Sequence, residues 1–121
     1  DHSCVNASAQ HAGVAALQGP QDCVREMVAQ FDQRRRIIVD RLDAMPGFRC
    51  AEAAGAFYAF PNIEGTGLTA REAQDRFLQE AGVATIAGTS FGEWGEGYLR
   101  FSYANSIENI ETALARIEPL L

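Results

Sequence analysis

From residue 21 to residue 45 the apolar positions Val24, Met27, Val28, Phe31, Ile38, Leu42 and Met45 recur in steps of three and four or their sums. That spacing puts them in one stripe and predicts a helix of about 25 residues, ended by Pro46-Gly47. Arg34, Arg35 and Arg36 fall in the gap of the stripe, which predicts a solvated face paired with Asp32 and Asp40. Upstream, residues 5 to 18 carry a weaker, alanine-rich helical pattern closed by Gly19-Pro20.

After residue 47 the period shortens. Phe48 to Glu52 and Ala56 to Phe60 read as two short strands joined by Ala53-Ala54-Gly55. Thr69-x-x-Glu72 is a capping box that opens a helix with Ala73, Phe77 and Ala81 on its apolar face, and Gly82 suits a left-handed stop. Val83 to Ile86 and Tyr98 to Ala104 read as further strands. Asn105-x-x-Glu108 reads as a second capping box, before a last helix lined by Ile110, Leu114, Ile117 and Leu121. This order predicts an α+β fold: a small sheet of about four strands with helices packed on one face, preceded by a long helix.

Alternation along the last strand assigns Leu99, Phe101 and Tyr103 to the core face. Tyr98, Arg100, Ser102 and Ala104 then point away from the helices. An arginine among aromatics in mid-strand is costly unless its five donors find an acceptor. Bidentate recognition of a small carboxylate is one reading; a structural pair with Glu93 or Glu96 is the other, and spacing alone favours the pair. The preceding segment, Gly88 to Gly97, holds four glycines and permits close backbone approach. It lacks the GK[ST] ending and the GxGxxG spacing of phosphate cradles, and its two glutamates repel phosphate. Trp94 in this loop reads either as a pocket cap or as an exposed residue at an interface.

Composition narrows the function classes. The 121 residues suit one domain of ordinary size. All ten basic residues are arginine, so this chain has no lysine to form a Schiff base or hold a P-loop phosphate. A net charge of −6 is the wrong sign for a nucleic-acid or anionic-membrane surface. Twenty alanines and arginine in place of lysine read as genomic compositional bias. No apolar run approaches a membrane span, and no signal-peptide pattern opens the chain. Three cysteines, Cys4, Cys23 and Cys50, at wide spacings predict buried thiols in a reducing compartment rather than disulfides. His2, Cys4 and His11 match no metal-ligand spacing, and no metal is expected.

Five segments, Gly55 to Pro61, Glu80 to Val83, Ala87 to Gly92, Gly97 to Ala104 and Glu108 to Glu111, together resemble the C-terminal part of class I/II aminotransferases. These are pyridoxal-phosphate enzymes of the aspartate aminotransferase type. The resemblance runs in order from Asn6-Ala7-Ser8-Ala9-Gln10 to the last helix. It implies that residues 1–121 are the small domain of a transaminase, with 1–20 at the junction to a large N-terminal domain. It also implies that Arg100 binds the α-carboxylate of an amino-acid or 2-oxo-acid substrate, and that Phe57 borders the cleft. Asn6 and Ser8 would lie near the partner subunit's site in a homodimer. The Schiff-base lysine and the groups holding pyridoxal phosphate would belong mostly to the large domain. The isolated chain is therefore expected to hold no catalytic residue, to bind no cofactor and to be inactive, within a cytoplasmic parent enzyme of amino-acid metabolism. The rival expectation is a stand-alone α+β module that binds a small carboxylate without turning it over.

Overall fold

The computed structural model describes residues 4–121, which form two compact units divided between Gln30 and Phe31. Within the first unit, helix α1 (Ala7–Gln18) starts where the Asn6 side chain accepts hydrogen bonds from the amides of Ser8 (2.8 Å) and Ala9 (3.4 Å). No residue of α1 is buried. Helix α2 (Asp22–Asp43) begins in this unit, and there Val24, Met27 and Val28 stay exposed. The predicted stripe is thus covered only in its second half, where Ile38, Leu42 and Met45 are buried. Cys4 and Cys23 are exposed as well, against the expectation of buried thiols, because the first unit supplies no core of its own to cover them.

The second unit holds the core. Strands β1 (Tyr58–Ala59), β2 (Ile86–Ala87) and β3 (Leu99–Ser102) form an antiparallel sheet in the order β1-β3-β2. Ala59, Leu99, Phe101 and Tyr103 turn to the covered face, with Ile38, Val39 and Leu42 of α2, Ala73 and Phe77 of the third helix, and Ile110, Leu114 and Ile117 of the last. The alternation read along β3 is therefore the alternation found: Leu99 and Phe101 are buried, Arg100 is half-buried and Ser102 exposed.

The sheet has three strands rather than about four. Of the predicted strand at 48–52 only Arg49 pairs, in a single bridge to Asn62, which in turn bridges to Tyr98. The Cys50 amide, which points away from Asn62, is bonded to Asp43 Oδ1 at 2.9 Å. β1 is short because Ala56 has φ +58, outside extended backbone, and Pro61 has no N–H to offer. The Ala56 turn is held by the buried Tyr103, whose hydroxyl donates to the Ala56 carbonyl at 3.0 Å and whose amide donates to Phe57 O at 2.9 Å. Burial pushes the Tyr103 hydroxyl above its ordinary pKa.

Helix α3 (Ala70–Arg76) opens with the predicted box: Thr69 Oγ1 accepts from Glu72 N at 3.2 Å, and Glu72 Oε2 accepts from Thr69 N at 2.9 Å. The helix widens into a π-turn, Phe77–Ala81, and stops at Gly82 with φ +67. Helix α4 (Ile107–Ile117) is capped one residue later than the sequence pattern places it. Ser106 Oγ accepts from Asn109 N, while Asn105 Oδ1 accepts from the Ser106 amide and the Asn109 side chain.

The arginine run of α2 divides its roles. Arg35 bonds both Asp32 (2.8 Å) and Glu52 (2.7 Å), and Arg36 bonds Asp32 (2.8 Å). Its hydrogen bond with Arg35 holds the Asp32 carboxyl below its ordinary pKa. Arg34 departs from the expected solvated face: it is half-buried, its guanidinium lies 5.2 Å from the Phe31 ring, and its Nε finds no partner among the described residues. Nor does any of the three pair with Asp40 among the described residues.

Candidate functional site

The face of the sheet away from the helices carries Tyr58, Ile86, Tyr98, Arg100 and Ser102, as the register requires: Tyr58 opposes Ser102, and Ile86 opposes Arg100. Arg100 stands at its centre. Its guanidinium carbon lies 4.3 Å from the Tyr58 ring centroid and 4.6 Å from that of Phe91. Among the described residues no carboxylate comes within ion-pair distance of it. Glu96, one of the two partners that spacing offers, is engaged elsewhere: its Oε1 accepts from the Ala70 amide at 2.8 Å. Arg100 thus places its charge and donors on the open face, with no acceptor for them among the described residues.

The loop that brings Phe91 there folds by a close backbone crossing. A Cβ on Gly88 would stand 2.9 Å from the Tyr98 carbonyl oxygen and closer still to that of Gly95; one on Gly95 would strike the backbone of Gly88. Hydrogen bonds Gly88 N to Tyr98 O (2.8 Å) and Tyr98 N to Gly95 O (3.2 Å) close the crossing. Two side chains tie the segment to α3, since Gln74 Oε1 accepts from Ala87 N at 2.8 Å and Glu96 reaches Ala70. Beside it the Phe60 ring stacks on Tyr98, with centroids 5.4 Å apart, and meets Phe91 edge-on at 6.2 Å. Trp94 points to solvent at 89% exposure.

Phe57 is partly exposed, and its ring packs on Tyr58 at 4.4 Å and on Phe31 at 6.2 Å. Asn6 and Ser8 belong to the first unit, and the Asn6 carboxamide oxygen is occupied as the cap of α1. His2 lies outside the described residues. Among those described, no group of three or more His, Cys, Asp or Glu could hold a metal ion. Likewise no helix is long and apolar enough to cross a membrane. A groove of about 370 Å³ lies between α4 and residues 82–84, but Arg100 does not line it, and its Asn109 amide is already bonded to Asn105 at 2.9 Å.

Sequence reasoning singled out Arg100 and not the two rings beside it. Tyr58 was legible, since it alternates with the buried Ala59. Phe91 was not, because its place depends on how residues 88–98 close.

Together the sheet and its helices define an α+β domain with one open, aromatic-bordered face. Comparison with known proteins gives the family: residues 1–117 match aminotransferase class I and II, and the chain belongs to that family. It is 46% identical over 114 residues to an aspartate aminotransferase of Pyrococcus horikoshii, covering 93% of this chain and 29% of that protein. Among solved structures, an alanine aminotransferase from Pyrococcus furiosus superposes with a TM-score of 0.89 at 37% identity, over 97% of this chain and 30% of the other. The aspartate aminotransferase of Rhizobium meliloti gives 0.86 at 35% identity, over 97% and 31%. The chain spans about 30% of the length of the relatives it matches.

The family implies pyridoxal phosphate in the whole enzyme. The residues of this chain do not fit as its holder. The cofactor's aldehyde needs an amine, and the chain has no lysine. The glycine-rich loop does not offer a phosphate cradle either, since the amides of Gly88, Gly92, Gly95 and Tyr98 are all spent on its own carbonyls.

Proposed function

We propose that this chain is the substrate-carboxylate-binding small domain of a pyridoxal-phosphate-dependent transaminase, which moves an amino group between an amino acid and a 2-oxo acid. The observation that carries the reading is Arg100: a guanidinium on the open sheet face, in contact with two rings and without a carboxylate partner among the described residues. An α-carboxylate satisfies it with two parallel charge-assisted hydrogen bonds. Phe57, packed on Tyr58, borders the same cleft. Closure of the domain over the cleft excludes water and orients the substrate by the group that all amino acids share. The relatives' names, aspartate and alanine aminotransferase, differ in the substrate side chain and agree in that carboxylate.

Residues 1–20 form the junction with a large N-terminal domain, and Asn6 and Ser8 lie near the partner subunit's site in a cytoplasmic homodimer. The support is the first unit's bare apolar surface: Val14, Leu17, Met27 and Val28 are all more than half exposed. The amine that engages the cofactor comes from outside this chain, so the 121 residues alone are inactive.

The test uses the full-length protein that carries this chain, with L-alanine, L-aspartate and L-phenylalanine as donors and 2-oxoglutarate as acceptor. Arg100→Leu is expected to lower kcat/KM about 100-fold or more for every donor accepted, the scale of two charged hydrogen bonds lost. An unchanged kcat/KM refutes the assignment. Cofactor retained by the isolated chain after gel filtration would refute its inability to hold the cofactor, and transamination by it would refute its inactivity. Tight binding of an amino or oxo acid by the isolated chain, lost in Arg100→Ala, would instead mark a self-sufficient carboxylate sensor.

A further inference from the structure

We propose that Tyr58 and Phe91 are positioning residues: their ring faces clamp the Arg100 guanidinium so that its N–H edge is aimed before substrate arrives. The inference rests on the reading of Arg100 as the carboxylate binder and adds the device that holds it.

An arginine on an open sheet face is a long side chain with many rotamers, and each is lost when a ligand fixes it. A guanidinium has flat faces and a hydrogen-bonding edge. Contact of the cation with ring faces leaves that edge free, whereas an ion pair would consume it. Both contacts here are of the ring kind. Tyr58 opposes Ser102 in the sheet, which makes it the diagonal neighbour of Arg100, within reach of a large aromatic. Its ring centroid is 4.3 Å from the guanidinium carbon.

Phe91 comes from a separate segment, 33 residues beyond Tyr58 in the chain, with its centroid at 4.6 Å. It is 54% exposed, so burial of its own apolar surface is a poor account of its placement. The fold nevertheless fixes it. The Gly88–Gly95 crossing shapes its loop, and the edge-on Phe60 ring, itself stacked on Tyr98, blocks one side. Ile86, directly across from Arg100 on β2, offers no competing acceptor.

A clamp of this kind strengthens binding of whatever carries the carboxylate, without regard to the rest of the substrate. In the full-length, cofactor-loaded enzyme, Tyr58→Leu and Phe91→Leu are each expected to raise KM about two- to fivefold, the scale of a cation–π contact, with kcat unchanged. The same factor should apply to 2-oxoglutarate and to each donor accepted among L-alanine, L-aspartate and L-phenylalanine. Tyr58→Phe and Phe91→Tyr, which keep a ring face, restore the wild-type KM. A factor that varies with the donor side chain would show direct contact with substrate and overturn the clamp. A fall in kcat at constant KM would show mere loss of folded enzyme and also overturn it. Arg100→Leu, measured alongside, separates the two claims: if it leaves kcat/KM unchanged, the carboxylate assignment itself fails, whereas a collapse there with unaltered leucine variants sinks only the clamp.

Discussion

Gly88→Ala adds one methyl group where backbone already stands. Gly88 does not sit in the left-handed region, so alanine can adopt its conformation and the effect is steric. The new Cβ would lie 2.9 Å from the Tyr98 carbonyl oxygen and nearer to Gly95 O, whereas ordinary van der Waals contact begins at 3.4 Å. Both obstacles are main chain, and no side chain can swing aside. Overpacking of this kind costs about 1–3 kcal/mol. For a unit of this size that is a fall in Tm of about 4–8 °C per kcal/mol. The control is Gly55→Ala in the same unit, where nothing lies within 4 Å of the added carbon. It is expected to be neutral or to stabilise by up to ~1 kcal/mol through the unfolded chain. Urea unfolding of the two variants beside wild type, followed by circular dichroism, gives the comparison. Gly88→Ala should also raise KM in the whole enzyme as Phe91→Leu does, because the loop that aims Phe91 must open. Equal stability of Gly88→Ala and Gly55→Ala would refute the close crossing.

Tyr103→Phe removes the hydroxyl that holds the Ala56 turn, and should cost about 0.5–1.5 kcal/mol in urea unfolding; no loss would show that the turn holds itself. Of the three thiols, Cys4 and Cys23 should react with a thiol reagent in the folded chain. Cys50 should react only after unfolding, since burial and the nearby Asp43 carboxylate push its thiol up to about 11. At pH 8 about one Cys50 in a thousand is then the reactive thiolate, and three equivalents titrated at once would refute its burial. Hydrogen bonds from the Thr69 amide and hydroxyl hold the Glu72 carboxyl below its ordinary 4.5. Its contribution is therefore present above that value and lost as pH falls through the folded-state pKa. Glu72→Ala should be less stable than wild type at pH 7 and converge with it in acid, and a pH-independent gap would count against the capping box.

What the sequence made legible was local. Helix α3 begins where Thr69 and Glu72 place it, and β3 buries the residues its alternation assigns, because both patterns are decided within a few residues. The same alternation put Arg100 on the open face, while its proposed role came from the family resemblance and not from spacing. The pieces that escaped depend on distant partners. Nothing near Arg49 announces that the first predicted strand will shrink to a single bridge with Asn62. Ala56 carries no mark of its positive φ, which Tyr103, 47 residues away, helps to hold. The apolar stripe of α2 runs unbroken past Gln30, yet its first turns lie bare, since periodicity says which face is apolar and not what will cover it.

The two side-chain ties between α3 and the loop have a dynamic consequence. Gln74 holds the Ala87 amide at the loop's entry, and Glu96 holds the Ala70 amide at the helix start. Each element supplies an acceptor the other needs, so neither can loosen without stranding a donor in its neighbour. In hydrogen exchange the amides of Ala70 and Ala87 should share one opening free energy, as members of a single cooperative unit. The order of a surface loop is then set by a helix of seven residues, and a variant that frays α3 would release the ring above Arg100 without touching the site.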